Sequence, residues 1–531
     1  MANYDWIIVG SGFGGSVSAL RLVEKGYRVL LLEKGRRFAP DDFPKTNWDV
    51  RNWLWSPALG LRGLFQMSFL EHLTVMHGVG FGGGSLVYAN TLPMPSEEFF
   101  TAPSWSKLAR WADELAPHYQ TARRMLGVAE NPRMTRGDEV LQQIATELGR
   151  ADQFHLAQVG VFFGQAGVTV PDPFFGGKGP ERTGCKFCGA CMTGCRHGAK
   201  NSLDRNYLYL AERLGLEVRT ETEVTAVRER AGGGFTVEAR GTFDHARRDT
   251  LSADRVVLAG GVMGTMPLLL AMREDPSGLP RLSPRVGDFV RTNSEALIGI
   301  VTPEHDEDLT EGIAITSILH TDEHSHIEPV RYGRGSGFFR TLALPHSPAS
   351  SALGRVAGAA RGFAKQPVRW MRALTVRDHA KQTQILLYMR TLEGTLRMQL
   401  GRGARTGFQR GLVTVLDDPS AAPSAFMPEA TDLARRFADK LKGVVMSILT
   451  ETLLGVPTTA HILGGACMGR DASEGVIDAD HQVFGHPGLY VVDGAAMSAN
   501  PGVNPSLTIT AMAERAMSKI PAHAAAAKTE P

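Results

Sequence analysis

The chain has 531 residues, 43% of them hydrophobic and 21% charged, with a formal net charge of +2. These are ordinary values for a folded protein with a large core, and they exclude a disordered or collagen-like chain. Near-neutrality also argues against a dedicated nucleic-acid binder, which carries a strongly basic domain.

Tyr4–Gly10 is a short β-rich run that carries Asp5 and no basic residue ahead of its apolar stretch. It therefore lacks the form of a signal peptide and reads as a strand; the expected compartment is the cytoplasm. It leads into Gly10-Ser-Gly12-Phe-Gly-Gly15, the G-x-G-x-x-G spacing, then into helical periodicity over Ser16–Lys25 and a second strand, Val29–Leu32, ending at Glu33. In such a unit one glycine allows a tight turn, another lets backbone reach a pyrophosphate, and the third lets helix and strand pack closely. The helix N-terminus faces the phosphates, and an acid at the end of the second strand accepts the hydroxyls of a ribose. This predicts a dinucleotide site, for FAD or NAD.

Next comes a glycine-dense loop, His77–Asn90. Trp105–Gly127 reads as a helix kinked or split at Pro117, with Leu108, Trp111, Leu115 and Tyr119 on one face. Four of the five cysteines crowd into Cys185-x2-Cys188-x2-Cys191-x3-Cys195, which argues against a disulfide-stapled fold. Their spacing is that of bacterial ferredoxins. They are candidate ligands of an iron-sulfur cluster, with Cys467 as a candidate remote ligand; the alternatives are a thiol-rich loop without metal or one holding zinc. Val256–Met272 is nearly long enough to span a membrane, but Gly260, Gly261, Gly264 and Pro267 divide it into strand, turn and helix.

Arg355, Arg361, Lys365, Arg369 and Arg372 alternate with Leu353, Val356, Phe363, Trp370 and Met371, the pattern of a membrane-touching helix or of a solvated lid. Gln384–Arg390 and Thr395–Leu400 flank Glu393-Gly394, a hairpin signal, and Gly411–Leu416 reads as a further strand. Together they predict an antiparallel sheet as the floor of a substrate pocket. Pro521–Pro531 reads as a disordered tail.

Four segments, taken in this order, resemble the glucose-methanol-choline (GMC) family of FAD oxidoreductases, and within it the bacterial cholesterol oxidase branch. They are the N-terminal fingerprint, His77–Asn90, Val256–Leu270, and Tyr490–Gly494 with Pro501–Thr508. The resemblance implies an α/β fold in which a Rossmann-like FAD-binding domain (residues 1–100, 196–285 and 456–520) is interleaved with an α+β substrate domain on an antiparallel sheet (101–195 and 286–455). It implies that Gly10, Gly12, Gly15 and Glu33 hold the ADP half of FAD, with the backbone of Val224 near the adenine. Gly80, Gly82, Gly83 and Ser85 would lie along the pyrophosphate and flavin, Asn90 near the ring, and Asp493 and Gly494 against the ribityl and phosphate portion. Asn504 and Pro505 would open the last helix toward the flavin.

His461, in Thr459–Gly469, matches the family's catalytic histidine, and Asn504 its second catalytic position. A histidine near neutral pKa suits a base that takes a hydroxyl proton. His77, His197, His379, His481 and His486 read as structural. The implied reaction is hydride transfer from a secondary alcohol on a bulky apolar, sterol- or terpenoid-like substrate to flavin, with oxygen or another electron acceptor. The alternatives are a dehydrogenase passing electrons through an iron-sulfur centre to a quinone or protein, and a flavin-dependent isomerase or lyase. Steroid oxidases of the branch also use a carboxylate to move a double bond; Glu393 lies near the right part of the chain but in the expected turn.

Overall fold

The computed structural model describes residues 3–303, 307–418 and 422–524; of the expected disordered tail, residues 525–531 lie outside the described residues. The first strand, Asn3–Val9, buries Trp6, Ile7 and Ile8 completely, the pattern of a central parallel strand covered on both faces. It pairs in parallel with Val29–Leu32 on one side and Arg248–Leu258 on the other, and Glu217–Arg219 continues the sheet beyond Val29–Leu32. Arg248–Leu258 is long enough for two further partners. Its first half pairs antiparallel with Phe235–Gly241, which pairs with Thr222–Glu229, while its end takes Leu489–Val491 in parallel. The helices Phe13–Glu24 and Ser506–Ser518 pack together in the core of this sheet, joined by two 2.7 Å hydrogen bonds from the Arg21 guanidinium to Glu514.

The second sheet has seven strands, all paired antiparallel, in the order Ala343–Pro345, Val444–Ile448, Ala296–Val301, Thr383–Arg390, Ser325–Val330, Ser317–His320, Phe154–Leu156. Alternation divides its faces: Ala296, Ile298 and Ile300 pack under the helices Arg136–Glu147 and Pro428–Leu441, whereas Leu297, Gly299 and Val301 face a cavity. The molecule is thus a Rossmann-like α/β unit interleaved with an α+β unit built on an antiparallel sheet.

Two expectations are corrected. The strand Thr395–Gly401 does not form a hairpin with Thr383–Arg390; it pairs with Val290–Arg291 and Gly411–Val415 in a separate sheet. The linking turn is held elsewhere, by hydrogen bonds from the Asn500 side chain to Arg390 O and Leu392 O and by an Arg291–Glu393 ion pair at 3.1 Å. The helix expected over Trp105–Gly127 begins at Trp111 and runs through Pro117 to Met125, while Trp105 stacks on Trp111 from the preceding turn with ring centroids 4.4 Å apart. This helix joins the core of the first sheet, with Tyr119 Oη donating to Thr508 Oγ1 at 3.0 Å, although residues 101–195 were expected to go with the second. Among the described residues, no helix is long and apolar enough to cross a membrane.

Candidate active site

A cavity of about 700 Å³ is lined by residues of both sheets. At one end Gly10, Gly12, Glu33, Val224, Gly260 and Gly261 form its wall. Gly10 has φ +98°, and a Cβ there would stand 2.4 Å from Ala259 O, so only glycine fits the turn. Gly12 differs. The nearest atom to its Cβ position is Ala259 O at 3.9 Å, so the space above it is a cradle that any larger residue would fill. Gly261 likewise meets nothing within 4 Å. Gly15 lies behind this wall, where a Cβ would meet Gly10 O at 2.1 Å, the close helix–strand contact such a turn needs. The Glu33 carboxylate accepts from Ser11 N (3.1 Å), Ser11 Oγ (2.6 Å) and Gly35 N (2.8 Å), which fixes it beside the glycine turn. Bare backbone, a helix N-terminus and a buried acid together fit the phosphates and ribose of a dinucleotide.

Gly83 and Gly84 carry the wall onward, while Gly80, Gly82, Ser85 and Asn90 stand behind it. Ser85 Oγ donates to Gly82 O at 2.7 Å and accepts from Leu203 N at 3.0 Å, fixing the loop's curvature. Asn90, with φ +70°, is buried against the Cys191 thiol, behind the cavity wall. Asp493 and Gly494 lie on the wall. The Asp493 carboxylate accepts from Gly261 N (2.8 Å), Thr265 Oγ1 (2.5 Å) and Ala495 N (2.8 Å), tying its own turn to the start of the helix after Gly261; burial pushes its pKa up to about 6 against these bonds. The last helix opens on the cavity through Asn504, Pro505 and Ser506, with Pro505 as its N-cap. Its positive end can stabilise negative charge there.

His461 lines the same cavity, between the glycine cradle and the apolar residues of the second sheet. Gly464, with φ +78°, brings its segment so close to the chain that a Cβ would sit 2.2 Å from Phe289 O, and Leu463 exchanges backbone bonds with Arg291. The imidazole Nδ1 lies 3.1 Å from Oε2 of buried Glu295, whose Oε1 accepts from Thr459 Oγ1, Ala460 N and His461 N. Burial works against the imidazolium, but the charge and hydrogen bond of Glu295, with the charge of Glu328, outweigh it and hold the His461 pKa above its ordinary value. With Nδ1 turned to Glu295, Nε2 is left for a ligand. Asn504 Nδ2 donates to Glu328 Oε2 at 3.4 Å, and its Oδ1 has no hydrogen-bond partner. Glu295 and Glu328 were not singled out by the sequence reading. His77 and His379, read as structural, also reach the cavity wall; burial takes their pKa values down to about 3 and about 4, so both are neutral.

Glu451 lies behind this pair. It is buried and accepts from Thr458 N at 3.3 Å; burial, with the charge of Glu295, pushes its pKa up to about 8 despite that bond. A raised acid pKa means that the native state holds the proton more tightly. Its stabilising effect is complete below the ordinary glutamate range and is lost as pH rises through about 8. Thermal melts of Glu451→Gln should therefore lose the wild-type fall in Tm between about pH 4.5 and 8, and a parallel fall in both proteins would contradict this.

The cysteine cluster gains no support as a metal site. Cys185, Cys188, Cys191 and Cys195 line one small pocket, but among the described residues no three His, Cys, Asp or Glu side chains are placed to hold a metal ion. Burial pushes Cys185 to about 12 and Cys191 to about 11, so in the absence of a metal ion both are thiols. Cys467 lies by Arg291 and Met497 O instead. The loop's role is structural: Lys200 Nζ donates to Cys191 O, Leu86 O and Tyr88 O at 2.9 to 3.0 Å, bracing the glycine loop from behind.

A family model described as FAD dependent oxidoreductase matches residues 5–324, and one described as GMC oxidoreductase matches residues 400–513. A cholesterol oxidase of Mycobacterium tuberculosis is 47% identical over 98% of this chain and 91% of its own length. One of Acinetobacter baumannii is 39% identical, over 98% of this chain and 95% of its own. Among solved structures, pyridoxine 4-oxidase from Mesorbium loti matches with a TM-score of 0.60 at 16% identity, over 97% of this chain and 99% of that one, a likeness of fold.

Proposed function

Because the chain belongs to the glucose-methanol-choline family of FAD-dependent oxidoreductases, which act on CH–OH groups, we propose that it oxidises the hydroxyl of a sterol or a similarly bulky apolar secondary alcohol. The observation that carries this reading is the continuity of one cavity, from the glycine cradle, past His461 and Asn504, into an apolar chamber walled by Leu297, Ile315, Val330, Ile385, Leu387 and Met446. FAD, when bound, supplies the hydride acceptor.

Gly10, Gly12, Gly15 and Glu33 would hold the ADP half, with Val224 beside the adenine. Gly80, Gly82, Gly83 and Ser85 would shape the loop along the pyrophosphate and flavin, and Asp493, Gly494 and Pro505 would bear on the flavin end. Asn90 would act from behind that loop. His461 Nε2 takes the hydroxyl proton, and Glu295 stabilises the resulting imidazolium. The Asn504 amide orients the substrate oxygen. Oxygen is the proposed acceptor, in keeping with the names of the relatives. Incubation with cholesterol in air should yield the ketone and consume oxygen, and absence of any ketone would overturn the substrate assignment.

One observation favours a second step at the same site. Glu328, fully buried, sits against Asn504, where a carboxylate could move a ring proton and with it a double bond. Glu393, paired with Arg291, is not so placed. Glu328→Gln should keep ketone formation within about tenfold while lowering the conjugated product at least about 100-fold, the scale of lost acid–base help; chromatography of the two ketones checks this.

The helices Ala352–Lys365 and Pro367–Thr375 pack on the strands that bring Ala343 and Met446 to the chamber. Leu353, Val356, Val368 and Met371 are exposed on them, as are Arg361, Lys365 and Arg372. Two residues of the expected basic face are instead structural: Arg355 is buried and donates to Ser350 O and Thr452 O, and Arg369 donates to Lys442 O. The proposed role of the remaining face is peripheral contact with a lipid surface that delivers the alcohol. Leu353→Asp with Met371→Asp should weaken co-sedimentation with anionic vesicles by about tenfold or more; unchanged binding would leave the helices as a solvated lid.

A further inference from the structure

We propose that His326, His320 and His155 form a proton path that connects buried Glu328 to solvent. The three imidazoles and the carboxylate occupy one face of the antiparallel sheet. His320 stands directly opposite His326, and His155, on the edge strand Phe154–Leu156, stands opposite Ile318. With side chains alternating along each strand, His155, His320, His326 and Glu328 all point the same way. That face otherwise carries apolar groups, among them Ile318, Val330, Leu387 and Met389. Ring centroids lie 5.4 Å apart between His155 and His320 and 5.5 Å apart between His320 and His326. His326 Nε2 is 3.4 Å from Glu328 Oε1.

Exposure runs in the same order. Glu328 is 0% exposed and His326 2%, His320 is half-buried, and His155 reaches solvent. Although 3.4 Å apart, His326 Nε2 and Glu328 Oε1 are both without a hydrogen-bond partner, and a buried pair left so unsatisfied calls for an explanation. Packing does not supply one, since an apolar residue would fill these positions without polar groups to satisfy. An imidazole both donates and accepts, so a row of them can hand a proton along.

The transfer moves protons only. The hydroxyl proton taken by His461 passes to Glu328, whose charge reaches that imidazole, through one bridging water, an N–H bond at His461 breaking as an O–H bond forms at Glu328; that O–H bond then breaks as an N–H bond forms at His326 Nε2. The far nitrogen of His326 then gives its proton to His320, and His320 gives one to His155 and solvent, each hop between rings completed by ring rotation or one bridging water. No electrons change hands. The charged and titratable groups around the row are His461 near Glu328, Asp322 beside His320 and Glu130 beside His155, together with the members of the row themselves. Burial and the neighbouring imidazoles take the His320 pKa down to about 4, which suits a carrier that does not store the proton.

The proposal rests on the reading of Asn504 and Glu328 as part of the reacting site, and two measurements separate its failure from that of the reading. In holoenzyme mixed anaerobically with cholesterol and a pH-indicator dye, His320→Phe, which keeps a ring, should bleach the flavin as fast as wild type within about twofold. Its proton release should lag at least about tenfold, with the lag removed by added free imidazole. His155→Phe, at the exposed end, should show the same lag if His320→Phe folds poorly. Release in step with bleaching in both variants would overturn the path. The second measurement needs no turnover. Exchange of the His326 ring N–H with solvent, followed by NMR on 15N-histidine-labelled protein, should slow at least about tenfold in either variant, and unchanged exchange would overturn the proposal even if cholesterol proved not to be a substrate.

Discussion

Replacing His461 with alanine should leave FAD bound and slow alcohol-driven bleaching of the flavin at least about 100-fold, a loss of about 2.7 kcal/mol in transition-state stabilisation. The imidazole is positioned through Nδ1 by Glu295 and makes no contact on which the glycine cradle depends, so cofactor content and melting temperature should change little. In wild type, kcat/KM should rise with pH through a pKa above the ordinary histidine value, because Glu295 and Glu328 stabilise the imidazolium that must lose its proton before it can act as base. Glu295→Gln should move that rise toward acid pH while keeping the backbone anchors to Ala460 and His461. Stopped-flow bleaching rates for the two variants check both statements, and an unaltered rate in His461→Ala would remove the imidazole from the reaction.

Gly12→Val should yield a folded protein that lacks flavin. The argument turns on what a side chain would meet. At Gly10, Gly14 and Gly15 a Cβ would lie 2.0 to 2.4 Å from a backbone oxygen, so substitution there damages the fold itself. Gly12 has φ −70°, open to any residue, and its Cβ would meet only Ala259 O at 3.9 Å. A valine is therefore compatible with the fold but occupies the space where backbone approaches a pyrophosphate. FAD affinity should fall at least about 100-fold, again about 2.7 kcal/mol, with circular dichroism unchanged. A fully yellow Gly12→Val protein would place the phosphates elsewhere.

What the sequence revealed of this site was local. Strand, glycine turn, helix and acid follow one another within Tyr4–Glu33, and each constraint acts between near neighbours, so spacing alone locates the unit. The strand end Val256–Leu258 with its glycine turn and the helix after it were legible for the same reason. Glu295 and Glu328 were not. Each is an isolated acid in an apolar strand region, and its partner, His461 or Asn504, lies more than a hundred residues away. Only pairing of distant strands brings them together. The same limit explains Glu393: a turn-like dipeptide between two β-rich runs predicts a hairpin, but strand register is set by partners elsewhere, here Val290–Arg291 and Gly411–Val415. The cysteine spacing does bring Cys185, Cys188, Cys191 and Cys195 to one small pocket, but spacing along a chain does not set the inter-side-chain geometry a metal ion needs, and no three of the described side chains have it. Burial and the contacts of Lys200 turn this loop into a brace.

Anaerobic mixing of the FAD-loaded protein with cholesterol, followed by flavin absorbance, tests the central claim most directly. The account predicts full bleaching in wild type, slowed at least about 100-fold in His461→Ala. Protein that binds FAD yet stays oxidised with cholesterol, or that bleaches equally well without the His461 imidazole, would contradict it.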